Sequence, residues 1–105
     1  MYTYRATCTK VIDGDTVELD VDLGFHTSIT IRGRLHNVNA PELFTGTNRE
    51  NGLKAKEYLE TLVTGRPLVV TTYKDHTSFG RWIVEIIAQG RLVNEQIQTF
   101  CDKLS

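Results

Sequence analysis

The chain has 105 residues, a length that favours one domain covering residues 1–105. With 40% hydrophobic and 24% charged residues it has the composition of an ordinary soluble globular protein. The formal net charge is −1, so bulk electrostatics supply no argument for a nucleic-acid partner, and any such partner needs a local basic cluster.

There is no apolar run of membrane-spanning length and no basic segment followed by an apolar core at the N-terminus, so the expectation is a cytoplasmic chain without a membrane partner. Cys8 and Cys101 lie too far apart in sequence to form a metal-ligand pair. Buried thiols in a reducing compartment are the favoured reading, and nothing supports a disulfide.

Tyr2 to Ile12 alternates, with Tyr2, Tyr4, Ala6 and Cys8 on one side, which predicts a strand. Asp13-Gly14-Asp15 breaks it, because Asp-Gly is a strong tight-turn pair. Thr16 to Leu23 alternates more cleanly: Val17, Leu19, Val21 and Leu23 face one way, and Glu18, Asp20 and Asp22 the other. That acidic run reads as a solvated sheet face, one that repels a polyanion. Gly24 marks the next turn. Ser28 to His36 predicts a third strand, with Ile29, Ile31, Gly33 and Leu35 on one face and Arg32, Arg34 and His36 on the other. Three strands joined by short turns make an antiparallel meander.

The stretch Arg34 to Glu42 runs from that strand into a turn, because Pro41 fixes its own backbone and pushes Ala40 toward an extended shape. Leu43 to Asn51 is polar and contains glycine, which suggests a mobile loop, and Thr47 and Glu50 have the spacing of a capping box. Leu53, Ala55, Tyr58, Leu59, Leu62 and Val63 recur at helical spacing, and Gly65 with Pro67 stops the helix. Leu68 to Tyr73 and Trp82 to Ala88 read as the fourth and fifth strands, separated by a polar loop from Lys74 to Gly80. Asn94 to Leu104 is a second helix with Ile97, Phe100, Cys101 and Leu104 as its apolar stripe.

The order is three strands, a helix, two strands and a helix. It matches a mainly β, five-stranded OB-fold barrel, β1-β2-β3-α1-β4-β5-α2, and it also allows a small open α+β sheet.

Four groups carry the chemistry: Asp13-Gly14-Asp15-Thr16, Arg34, Asn39-Ala40-Pro41-Glu42 and Gly80-Arg81. Hard oxygen donors such as Asp15, the Asn39 side chain and a backbone carbonyl suit Ca²⁺ or Mg²⁺. Arginines match phosphate with two parallel hydrogen bonds. Each group alone reads more simply as a turn or a solvated charge. Their weight lies in occurring together on this pattern of strands. His26, His36 and His76 have no ligand spacing, although His36 shares a strand face with Arg34.

Val-Ile-Asp-Gly-Asp-Thr-Val (11–17), Arg34 with Asn-Ala-Pro-Glu (39–42), Phe-Gly-Arg (79–81) and Leu-Val-Asn-Glu (92–95) together resemble the staphylococcal nuclease, or thermonuclease, family. The motifs cover nearly the whole chain in register. The resemblance implies an OB barrel and a nuclease that hydrolyses phosphodiester bonds of DNA or RNA, with single strands as the expected partner and Ca²⁺ or another divalent cation as cofactor. It implies Asp15, Asn39 and the Ala40 carbonyl as metal ligands, with Asp13 a nearby acid. It implies Arg34 and Arg81 as the arginines on the scissile phosphate and Glu42 as the carboxylate acting on the attacking water. Phe79 is implied near bound nucleotide, and His36, on the strand face of Arg34, is within reach of a phosphate, although a solvated histidine is the favoured reading.

Two departures stand out. Asn39 replaces the usual aspartate and removes one negative charge, so Ca²⁺ affinity is expected to fall. Ser78 and Phe79 replace a lysine and a tyrosine near the terminal phosphate. The alternative is therefore a nucleic-acid-binding OB module with weakened or lost turnover.

Overall fold

The computed structural model describes residues 2–39, 49–74 and 81–104, with residues 74 and 81 as backbone. The elements in order are β1 (Tyr2–Asp13), β2 (Thr16–Gly24), β3 (Thr27–Leu35), α1 (Arg49–Val63), β4 (Leu68–Lys74), β5 (Arg81–Ala88), β6 (Arg91–Leu92) and α2 (Val93–Leu104). The sheet order is β3-β2-β1-β4-β5-β6, and β3 also pairs with β5. That extra pairing closes β1 to β5 into a barrel. All neighbours are antiparallel except the closing seam, where Arg32–Leu35 runs parallel to Arg81–Val84. The result is a mainly β, OB-like closed barrel with two helices. The expected element order gains the two-residue β6, which brings Leu92 opposite Ile87 just before α2.

The alternation in β2 is realised fully at its centre: Val17, Leu19 and Val21 are buried among Leu35, Val70, Val84 and Ile86. Each such side chain removed from water contributes about 1.5–3 kcal/mol. The period breaks in β1. Ala6 is buried, a register shift falls between Cys8 and Lys10, and Val11 becomes the next buried residue. A bulge inserts one residue and switches the inward parity. It also bends β1 so that its first half pairs with β4 while its second half continues along β2.

Three expectations need correction. Leu23 and Ile29 keep the inward parity but stay exposed, because the β2–β3 hairpin extends past the packed core. His36 lies in a turn beyond the end of β3, not within the strand. Residues 49–51, read as the end of a loop, already form the first turn of α1, while residues 43–48 lie outside the described residues.

Helix α1 buries Gly52, Ala55, Leu59 and Val63, and Leu53 turns outward. Tyr58 stacks on Phe100 of α2, with ring centroids 4.3 Å apart and planes 14° from parallel. Offset stacking of this kind adds about 0.5–1.5 kcal/mol beyond area burial. Ile97 and Cys101 press α2 onto the same core. Among the described residues no helix is long and apolar enough to cross a membrane.

Candidate functional site

The turn between β1 and β2 is built around two aspartates. The Asp15 amide donates to Asp13 Oδ1 at 3.0 Å, so the Asp13 side chain closes the turn on its own backbone. The Thr16 hydroxyl donates to Asp15 Oδ1, also at 3.0 Å. The Leu35 amide donates to the Asp15 carbonyl at 2.8 Å, which fastens the turn to the far end of β3. Thr16 stands opposite Arg34 in the β2–β3 ladder.

Sequence-distant Asp13, Asp15 and Arg34 therefore meet at one end of the barrel. Their electrostatics record it. Burial pushes the Asp15 carboxyl up from 3.8 to about 6, and its hydrogen-bonded, like-charged neighbour Asp13 pushes the same way. Thr16 and the Arg34 guanidinium pull it down, less strongly. The charge of Asp15 also helps raise the buried Cys101 thiol, behind burial itself and Asp102, so the C-terminal half of α2 lies within its field.

Asn39 is exposed at the end of the described segment that follows β3. Its amide N–H donates to Gln98 Oε1 at 2.8 Å, and the Gln98 amide donates to Asp102 Oδ1 at 2.8 Å. Helix α2 thus sets the path of the chain that carries Asn39. A cavity of about 370 Å³ next to Gln98 is lined by His36, Glu85 and Glu95, and a smaller one of about 230 Å³ has Arg34, His36 and Asn39 along its wall.

His36 is exposed and its ring lies against Tyr73, 5.7 Å between centroids. The Tyr73 hydroxyl donates to Glu85 Oε1 at 3.1 Å, and its pKa is raised by partial desolvation and by Glu85. Residue 81 opens β5 directly opposite Arg32, two ladder positions from the pairing of Arg34 with Ile83. Ala40, Glu42 and Phe79 lie outside the described residues.

Two residues of α2 position the chain around the site without having been given a role from sequence. Gln98 holds Asn39. Asn94, read from sequence only as the start of a helix and as part of the Leu-Val-Asn-Glu motif, is buried and accepts the Ile86 amide at 2.9 Å while donating to the carbonyls of His36 and Val84, each at 3.0 Å. It links α2 to both strands of the closing seam. A buried asparagine with three backbone partners has no periodic signature, because its partners are brought by tertiary structure.

The outer acidic face of β2 also differs from expectation. Glu18 stands between Lys10 and Arg32, and Asp22 stands opposite Arg5. Cations in register on neighbouring strands offset the repulsion that the run would exert alone.

The donors at the turn are hard oxygens, the Asp13 and Asp15 carboxylates. A divalent cation would favour the ionised form of Asp15, against the burial and the Asp13 repulsion that raise its carboxyl to about 6. Oxygen donors of this kind suit a hard cation such as Ca²⁺ rather than a softer metal. Among the described residues no group of three or more His, Cys, Asp or Glu side chains is arranged to hold a metal. Comparison with protein-family models and with curated proteins finds no match.

Proposed function

We propose that this chain is a metal-dependent nuclease of the staphylococcal nuclease type, built on a five-stranded OB fold and acting on DNA or RNA. The observation that carries the reading is the meeting of Asp15 and Arg34, from different strands, at one barrel end. A carboxylate and a guanidinium at such a place suit a cation beside a phosphate.

In this reading Asp15, Asn39 and the Ala40 carbonyl hold the cation. When bound, the cation neutralises charge on the phosphodiester. Arg34 and Arg81 bind the phosphate oxygens and stabilise the negative charge that grows on them as water attacks. Glu42 accepts the proton that the attacking water loses. Phe79 and His36 offer faces for stacking against a base.

The test is cleavage of single-stranded DNA and RNA in Ca²⁺, Mg²⁺ or Mn²⁺, with chelator as control. Cleavage that falls roughly a hundred- to a thousandfold in Arg34→Ala supports the assignment. Salt-dependent binding without cleavage in any metal moves the protein to the alternative, a binding module without turnover. Asn39, lacking the charge of an aspartate, is the observation that favours that alternative.

A further inference from the structure

Strand β3 has β2 along its whole length but β5 only from Arg32 onward. Residues Thr27–Thr30 are all exposed, and among the described residues no strand pairs with that edge. The direction of its free groups follows from the ladder. The Leu35 amide points to β2, at Asp15, and the His36 amide points to β5, at Val84. In an antiparallel pair backbone groups alternate in direction along the strand. Ser28 and Thr30 therefore aim their N–H and C=O groups outward, away from β2.

The edge reads Thr-Ser-Ile-Thr-Ile and carries no charge and no proline. These are the devices by which edge strands ordinarily avoid pairing with another chain. Apolar side chains gather around it. Phe25 is fully exposed at the hairpin tip, Tyr2 is 69% exposed, Ile29 47%, Leu23 39% and Trp82 38%. Tyr2, Leu23, Ile29 and Trp82 line one apolar mouth of about 200 Å³. Phe25 and His26 hold positive φ angles of 54° and 59°, a tight hairpin turn that is costly for side chains of this size.

We propose that β3 pairs with β3 of a second copy of this chain, antiparallel and about a two-fold axis at Ile29. Ser28 of each copy then exchanges both backbone hydrogen bonds with Thr30 of the other. The two Ile29 side chains meet at the central non-hydrogen-bonded position, where neighbours stand closest. Antiparallel pairing carries the Phe25 tip of each copy toward the start of β5 in the other, where Trp82 lies. The start of β5 opposite Arg32 bounds the ladder, so the contact closes as a pair rather than growing into a fibre.

The area is sufficient. With aromatic side chains presenting roughly 150–250 Å² each, these five residues expose on the order of 600 Å² per copy, or about 1,200 Å² for two, the lower end of a stable specific interface.

Sedimentation velocity over a concentration series tests the proposal, with the emission of Trp82, the single tryptophan, followed in parallel. The expected result is a dimer whose Trp82 emission shifts to shorter wavelength as it assembles. Thr30→Pro removes one outward N–H without touching the β2 ladder, and Ile29→Lys places a charge at the axis. Both are expected to give monomers with unchanged far-UV circular dichroism. Should the proline variant misfold, the lysine variant, at an exposed position, carries the test alone. A chain that is monomeric at every concentration, a dimer indifferent to Ile29→Lys, or an open-ended assembly overturns the proposal. So does a monomer whose Trp82 emission responds instead to a single-stranded oligonucleotide.

Discussion

Asp15→Asn should stabilise the metal-free protein at neutral pH. The substitution keeps an oxygen that accepts the Thr16 hydroxyl and removes a half-buried charge repelled by Asp13. The folded carboxyl titrates near 6, against 3.8 as its ordinary value. Folding therefore tightens proton binding. Below about pH 4 the group is protonated both folded and unfolded, and it affects stability little. Between there and about pH 6 the unfolded chain ionises first, so stability falls as pH rises. Above that window both states are ionised and the penalty is complete. The full shift corresponds to at most about 3 kcal/mol. Solvent still touches the side chain and screens the charge, leaving about 1–2 kcal/mol. For a domain of this size each kcal/mol moves the melting temperature by roughly 4–8 °C.

The assay is thermal unfolding of wild type and Asp15→Asn in chelator at pH 4 and pH 7.5. The difference between the two proteins should be near zero at pH 4 and fully developed at pH 7.5. An equal gain at both pH values, or none at pH 7.5, refutes the burial and Asp13 repulsion as the cause. Comparing the two proteins at each pH cancels the titration of the other carboxylates.

Three further outcomes are expected. A Cβ at Gly33 would stand 3.0 and 3.1 Å from the two methyl carbons of Val84, so Gly33→Ala should cost about 1–3 kcal/mol in urea unfolding by overpacking the closing seam. Asn94→Ala leaves the Ile86 amide and the Val84 carbonyl short of a buried partner, and should lower stability by about 2–5 kcal/mol, read from the same unfolding curves, with a larger loss than Gln98→Ala at its more exposed position. Asn39→Asp should tighten Ca²⁺ binding measured by calorimetry and enlarge the rise in melting temperature that Ca²⁺ produces; unchanged affinity would remove Asn39 from the ligand set.

The barrel was legible where one face of a strand is buried along its length. Val17, Leu19 and Val21 alternate in sequence because they alternate in space. The same reasoning misled at Leu23 and Ile29, since alternation reports which face a residue lies on and not how far the core extends. The β1 bulge was hidden because Cys8 and Val11 each look inward and the extra residue between them leaves no mark in composition. At the candidate site Asp13, Asp15 and Arg34 were found from local chemistry, and the ladder brings them together. Gln98 was not, and Asn94 entered only as part of the Leu-Val-Asn-Glu motif without a role, because an amide on a helix declares its function only through the strands that reach it. Glu42, Ala40 and Phe79, the remaining expectations, fall on residues outside those described.

The one parallel seam has a kinetic consequence. Residues 32–35 and 81–84 are nearly half the chain apart, whereas the β1–β2 and β2–β3 hairpins close over short turns. Contacts so distant in sequence require the larger loss of chain entropy before they reward it, and they form late. The seam, like the still more distant β1–β4 pairing, is then late to set during folding, and native-state hydrogen exchange should find the His36 amide, bonded across it to Val84, opening before the amides at the centre of β2. Arg34 stands on one side of that joint and residue 81 on the other, so the spacing of the two arginines is tied to a late-made contact of the barrel.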